Sequence, residues 1–137
     1  MKNPCSILIT GASSGLGEAL AKHYSAPGRL LALTGRNANN LSLVANHCKK
    51  RGADVIFDTI DVSNSIAMQS FIDCVEKRKP IELVIANAGI SYSTASASEN
   101  LQYKELEIIS VNLCGVLNTV APIIKTMKLR NKGQVAI

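Results

Sequence analysis

The sequence predicts an α/β fold, a doubly wound parallel sheet made of repeated strand–helix units. Two observations carry this. Five short apolar runs, at residues 6–10, 30–34, 55–58, 83–86 and 134–137, alternate with longer segments of helical periodicity. The runs are nearly continuous in apolar residues rather than alternating, as expected of strands covered on both faces. Strand–helix–strand repeats imply parallel pairing with right-handed crossovers.

Each element follows in order. The stretch ILITGASSGLGEAL (7–20) turns an apolar run into a helical pattern through three glycines. Leu16, Leu20 and Tyr24 then fall at i, i+4 and i+8, and Pro27-Gly28 supplies a stop. A second helix is expected over about residues 39–51, with Leu41, Val44, Ala45 and Cys48 inward and Gly52 beyond its end. A third should follow Ser63 as N-cap, turning Ala67, Met68, Phe71, Ile72 and Val75 inward, with Pro80 just past it. A long fourth helical region spans about 100–130, where Pro122 removes one backbone donor and suggests a kink. SYSTASAS, residues 91–98, reads as a polar loop after the fourth strand.

The 137 residues, 47% of them hydrophobic, form one domain with a sizeable core. No linker, repeat or low-complexity tract divides them. No apolar run approaches the roughly 18 residues of a membrane span, so no membrane partner is expected. Residues 1–10 read as a strand rather than a signal peptide. Cys5, Cys48, Cys74 and Cys114 form no C-x-x-C, and His23 and His47 complete no zinc pattern, so no metal is expected. Cys48 and Cys74 fall on apolar stripes. Buried free thiols in a reducing cytoplasm are the expectation. Lys and Arg outnumber Asp and Glu by 15 to 10, a formal charge of +5. The cations cluster at Lys49-Lys50-Arg51, at Lys77-Arg78-Lys79, and at Lys125, Lys128, Arg130 and Lys132. Each cluster ends a predicted helix, where it complements the helix dipole, at sheet ends opposite a ligand crevice. That placement argues against a nucleic-acid partner.

The glycine turn carries the chemistry. Gly11 can take a backbone angle closed to residues with a Cβ. Gly15 and Gly17 open the helix, where small residues let a pyrophosphate approach backbone N–H groups and the positive helix end. Ser13 and Ser14 can add hydroxyl donors, and Leu16 stands between the glycines. The spacing Thr10-Gly11-x-x-x-Gly15-x-Gly17 is neither G-x-G-x-x-G nor the phosphate loop of an NTPase.

This T-G-x-x-x-G-x-G pattern resembles the short-chain dehydrogenase/reductase family. Three further motifs in the same order join it. Asp61-Val62 follows the third strand, Ala86-Asn87-Ala88-Gly89 follows the fourth, and Val111-Asn112-Leu113-x-Gly115 lies in the long helix. The resemblance spans nearly the whole chain and implies a Rossmann-like sheet of order 3-2-1-4-5. It further implies that Gly11, Gly15 and Gly17 line a pyrophosphate. Asp61 and Val62 would flank an adenine, Asp61 receiving its amine or else capping the third helix. Asn87, Ala88 and Gly89 would lie by the ribose next to the nicotinamide, with Asn87 also tying strands together. Asn112 resembles the family's catalytic asparagine, or else serves a helix irregularity.

Strand two ends Thr34-Gly35-Arg36-Asn37. NAD-preferring relatives usually carry an acidic residue where Gly35 stands. Arg36 can instead pair with a 2′-phosphate through its planar fork, with Ser13 and Asn37 adding hydrogen bonds. NADP(H) is therefore expected over NAD(H).

The resemblance also implies a serine after strand five and a Tyr-x-x-x-Lys on the next helix. Neither is present; the fourth residues after Tyr24, Tyr92 and Tyr103 are Gly28, Ser96 and Glu107. The expectation is a fragment of a longer NADP(H)-dependent oxidoreductase acting on a carbonyl or alcohol, cut after its fifth strand and inactive alone. A non-catalytic nucleotide-binding module is the alternative; a methyltransferase is disfavoured by Gly35-Arg36. Strand five would be an open edge. Ile109, Leu113, Val116 and Val120 would stay uncovered, so self-association, as in a homo-oligomer, is expected.

Overall fold

A computed structural model describes residues 3–92 and 101–137. The elements are β1 (Ser6–Ile9), α1 (Gly15–Tyr24), β2 (Leu30–Gly35), α2 (Ala38–Lys50), β3 (Asp54–Thr59), α3 (Ser65–Arg78) and β4 (Leu83–Ile85). After them come α4 (Leu101–Ile109), a π-helical turn (Ser110–Cys114), α5 (Gly115–Leu129) and β5 (Gln134–Ala136). Most of the expected loop at 91–98 lies outside the described residues.

All five strands pair in parallel, in the order β3-β2-β1-β4-β5. The chain moves one way from β1 to β3, then returns past β1 to β4 and β5. The switch point between β1 and β4 opens a crevice at the carboxyl ends of the strands, the place where open α/β sheets bind ligands. The continuously apolar runs explain the layering. Ile7, Ile9, Leu31 and Leu33 point to one face with Leu41, Val44 and Cys48 of α2. Leu8, Leu30, Ala32 and Val84 point to the other with Met68, Phe71, Ile72, Val75 and Ile123. β3 and β5 are the edges, and their side chains are correspondingly mixed in burial.

Several local expectations are corrected. The cap of α3 is Asn64, whose side chain accepts from the Ala67 N–H at 3.0 Å; Ser63 instead bonds Asp61. Cys74 is exposed, and of the four free thiols Cys48 is the buried one. Burial pushes the Cys48 thiol pKa up. Leu16 does not join an inward stripe: it is 67% exposed, while Gly17 and Ala21 face the sheet. The smallest residues set the docking face of α1 because the helix begins hard against β1. The long helical region keeps α geometry through Pro122 and departs from it at 110–114. Val116 and Val120 are half-buried, whereas Leu106, Ile109, Leu113 and Leu117 are more than half exposed. By length and composition Tyr103–Leu129 is apolar enough to cross a membrane, contrary to the sequence reading. Its inner face packs on the sheet through Val111, Ile123 and Met127.

The basic clusters sit where the dipole argument places them. Arg78 bonds Asp54 at the start of β3, Lys79 bonds the Gly28 carbonyl at 3.0 Å, and Lys132 pairs with Glu82 at 2.5 Å just before β4. These are the amino ends of the strands, opposite the crevice.

Candidate functional site

The crevice is a cleft of about 460 Å³. Its floor is the turn after β1. Gly11 has φ +67° there, and a Cβ on it would stand 2.8 Å from the Ala88 Cα. A Cβ on Gly17 would lie 2.2 Å from the Gly11 carbonyl oxygen. The two glycines thus let α1, β1 and the segment after β4 meet backbone to backbone. Gly15, at φ +56°, has nothing within 4 Å of such a position and faces open space at the N-terminus of α1. Ser14 is the N-cap residue and its side chain makes no cap bond. Ser13, Ser14 and Leu16, at the start of α1, line the cleft, and the first N–H groups of the helix take no bond from the Ser14 side chain, which leaves them for an anion.

Asn87 fixes the wall after β4. Its amide donates to the Thr10 carbonyl at 3.1 Å and reaches the Gly11 carbonyl at 3.5 Å. The Ala88 N–H donates to the Thr10 hydroxyl at 3.1 Å. On the far side Asn112, exposed on the π turn, pairs with the Ile90 backbone. Its Oδ1 accepts from the Ile90 N–H at 2.8 Å and its Nδ2 donates to the Ile90 carbonyl at 2.9 Å. That bidentate clamp holds the segment after Gly89 against the helix.

The β2 and β3 ends form the other lobe. Gly35 lies against Ser13, since a Cβ on it would meet the Ser13 hydroxyl at 2.9 Å. An acidic side chain at Gly35 would displace Ser13, so its absence is built into the packing. Asn37 caps α2, accepting from the Asn40 N–H at 2.9 Å. Asp61 accepts from the Ser63 N–H at 2.9 Å and the Ser63 hydroxyl at 2.7 Å. Desolvation opposes ionisation of Asp61, but the Ser63 bonds and the Arg36 charge outweigh it and lower its pKa. The same carboxylate therefore shapes the entry to α3 while facing the cleft. Arg36 is paired, its Nη1 3.7 Å from Glu107 Oε1 of α4.

Gly11, Ser13, Ser14, Leu16, Arg36, Asn37, Asp61, Val62, Asn87, Ala88 and Gly89 all line this one cleft. Gly15, Gly17 and Asn112 do not: Gly17 lies beneath the floor and Asn112 behind the wall. The sequence reading of the site missed Ile60, Ile90 and Val111, which also line it, and Gly35 contributes as well. Ile60 precedes Asp61, Ile90 follows Gly89 and Val111 precedes Asn112. Each is an apolar neighbour of a motif residue, and that adjacency was the available signal.

An open α/β sheet with a glycine-floored cleft at its switch point is a Rossmann-like architecture. A family model described as short chain dehydrogenase matches residues 6–137, and the chain belongs to that family. It is 29% identical over 131 residues to an uncharacterized oxidoreductase of Listeria innocua, covering 94% of this chain and 52% of that protein. It superposes with a TM-score of 0.82 on an alcohol dehydrogenase of the archaeon Thermococcus sibiricus, complexed with 5-hydroxy-NADP. That match has 31% identity and covers 95% of this chain and 56% of the other. An NAD+-bound xylitol dehydrogenase shares the fold at a TM-score of 0.84 with 20% identity, covering 95% of this chain and 50% of that one. The chain thus spans about half the length of these relatives. Oxidoreductases of this family use nicotinamide cofactors and small-molecule substrates.

Proposed function

We propose that the chain is a single NADP(H)-binding domain, the cofactor half of an oxidoreductase that interconverts a small carbonyl compound and its alcohol. The observation that carries this reading is the cleft itself. Its floor approaches so closely that a Cβ at Gly11 or Gly17 would collide with backbone, while Ser13 and Ser14 line the open space above it. A pyrophosphate fits that space, bonded by the N–H groups at the start of α1 and by the Ser13 and Ser14 hydroxyls. Asp61 and Val62 would flank the adenine. Ala88 and Gly89, on the segment held by Asn87, would lie beside the second ribose. A bound nicotinamide supplies or accepts the hydride.

Arg36, with no carboxylate at Gly35, favours a 2′-phosphate, supported by Ser13 and Asn37. Arg36→Asp replaces a phosphate-pairing cation by an anion. It should raise the NADPH dissociation constant about tenfold or more in a fluorescence titration. An unchanged constant would sink the assignment.

The 137 residues hold no Tyr-x-x-x-Lys, so the chain is expected to bind cofactor without turning over a carbonyl substrate. Asn112 acts here as a positioning residue through the Ile90 clamp. The free thiols fit a reducing, cytoplasmic setting. Leu106, Ile109, Leu113 and Leu117 form an exposed apolar stripe suited to a second copy of the chain. Light scattering should give a mass above one chain, and Leu113→Lys should reduce it.

A further inference from the structure

We propose that Glu107 is a specificity-determining residue: paired with Arg36 of the cleft lining, its carboxylate restrains binding of the 2′-phosphorylated cofactor and narrows the preference for NADP(H) over NAD(H). The inference rests on the reading of Arg36 as the 2′-phosphate partner.

Arg36 follows β2 and lines the cleft; Glu107 comes from the last turn of α4. Their contact therefore ties the segment after β2, which lines the cleft, to α4. At 3.7 Å it is an ion pair too long for a hydrogen bond, and the side chains are 54% and 47% exposed. Arg36 is thus not held in a fixed pose by Glu107, so the carboxylate acts on it through charge. What holds Glu107 is Tyr92, on the segment after β4, whose hydroxyl donates to the other carboxylate oxygen. Lys104, one turn earlier on α4, stands over the Tyr92 ring at 5.7 Å. Glu107 therefore keeps a hydrogen-bond partner when Arg36 moves.

Asp61 is a second carboxylate that feels Arg36, from the β3 side. One guanidinium thus faces two carboxylates, although the chain as a whole is cationic. A 2′-phosphate docking on Arg36 would bring up to two negative charges into that group and displace Glu107 from its counter-ion. The ribose hydroxyl of NAD(H) brings no charge. The penalty set by Glu107 therefore falls on one cofactor and not the other. Asp61, anchored by Ser63, adds its own charge, but it would also receive the adenine amine of either cofactor, so Glu107 is the carboxylate that acts on the 2′-phosphate alone.

The test is a set of titrations of the chain and of Glu107→Gln with NADPH, NADH and 2′,5′-ADP. Glutamine keeps the length of the side chain and an oxygen for the Tyr92 hydroxyl, and the site is exposed, so the fold should be retained; a thermal melt checks it. Glu107→Gln should tighten NADPH and 2′,5′-ADP about two- to fivefold and leave NADH unchanged. Glu107→Lys should move both phosphorylated ligands further in the same direction. Unchanged or weaker NADPH binding in both variants overturns the proposal. Arg36→Ala separates the two readings. If it weakens NADPH while Glu107→Gln does nothing, only the role of Glu107 falls. If it leaves NADPH unaffected, the Arg36 reading falls, and this proposal with it. Failure of all three ligands to bind any variant overturns both.

Discussion

The wall of the cleft formed by β1, α1 and the segment after β4 is fixed by backbone meeting backbone, whereas the wall on the π turn and α4 is fixed by exposed side chains reaching across. On the first, Gly11 and Gly17 remove the Cβ atoms that would keep the elements apart, and the part-buried Asn87 amide bonds carbonyls in the gap. On the second, Asn112 clamps Ile90 and Glu107 faces Arg36 from solvent-exposed positions. Close approach of backbones leaves a site little freedom, because any added atom has to move a whole element. Exposed side-chain links compete with water, so they can be lost without unfolding the domain. The first wall suits a fixed phosphate cradle, and the second suits adjustable recognition.

Substitutions should separate the two walls, and the largest effect belongs to the floor. Gly17→Ala places a methyl group where the Gly11 carbonyl stands. It should cost about 2–4 kcal/mol in urea unfolding and abolish nucleotide binding. A wild-type midpoint would break the comparison. The paired asparagines come next. Asn87→Ala strands part-buried carbonyls and should cost about 2 kcal/mol, against about 1 kcal/mol for Asn112→Ala, whose partners can turn to water. Equal losses would show that the second wall is as tightly built as the first.

The smallest expected effect is a pH dependence. The pKa of Asp61 is lowered in the folded state from an ordinary value of 3.8. Its contribution is therefore fully present above about pH 4 and is lost as pH falls through the lower folded pKa. Asp61→Asn should flatten that part of the acid limb of the stability profile. Glu82, lowered by its Lys132 and Cys5 hydrogen bonds, should keep its own share of the limb. An unchanged limb in Asp61→Asn would mean that the Ser63 bonds do not favour the ionised form.

Much of this was legible beforehand because parallel strands buried on both faces must be continuously apolar. The runs at 6–10, 30–34, 55–58, 83–86 and 134–137 mark the five strands to within a residue or two. Glycines with positive φ at a strand–helix junction are equally legible, since few other residues fit. Periodicity and residue preference point to Leu16, Cys74 and Ser63, but the close docking of α1 and a Ser63–Asp61 bond two residues apart decide otherwise for Leu16 and the cap. Leu16 turned outward because Gly17 docks closer than any apolar stripe allows. Asn64 took the cap because Ser63 was drawn to Asp61.

The sequence by itself therefore determined the strand–helix order, the glycine cradle and the residues that gather at the switch point. Spacing and backbone permissiveness, which are local properties, carry the first two; the gathering of Asp61, Val62, Asn87 and Gly89 follows from the resemblance of their motifs to a family. Only the tertiary structure decided which residues face the cleft and which support it from behind. It put Gly17 beneath the floor, Asn112 on the Ile90 backbone and Glu107 opposite Arg36, 71 residues away in the chain. Contacts at that separation depend on how helices settle against the sheet, and no periodicity records that.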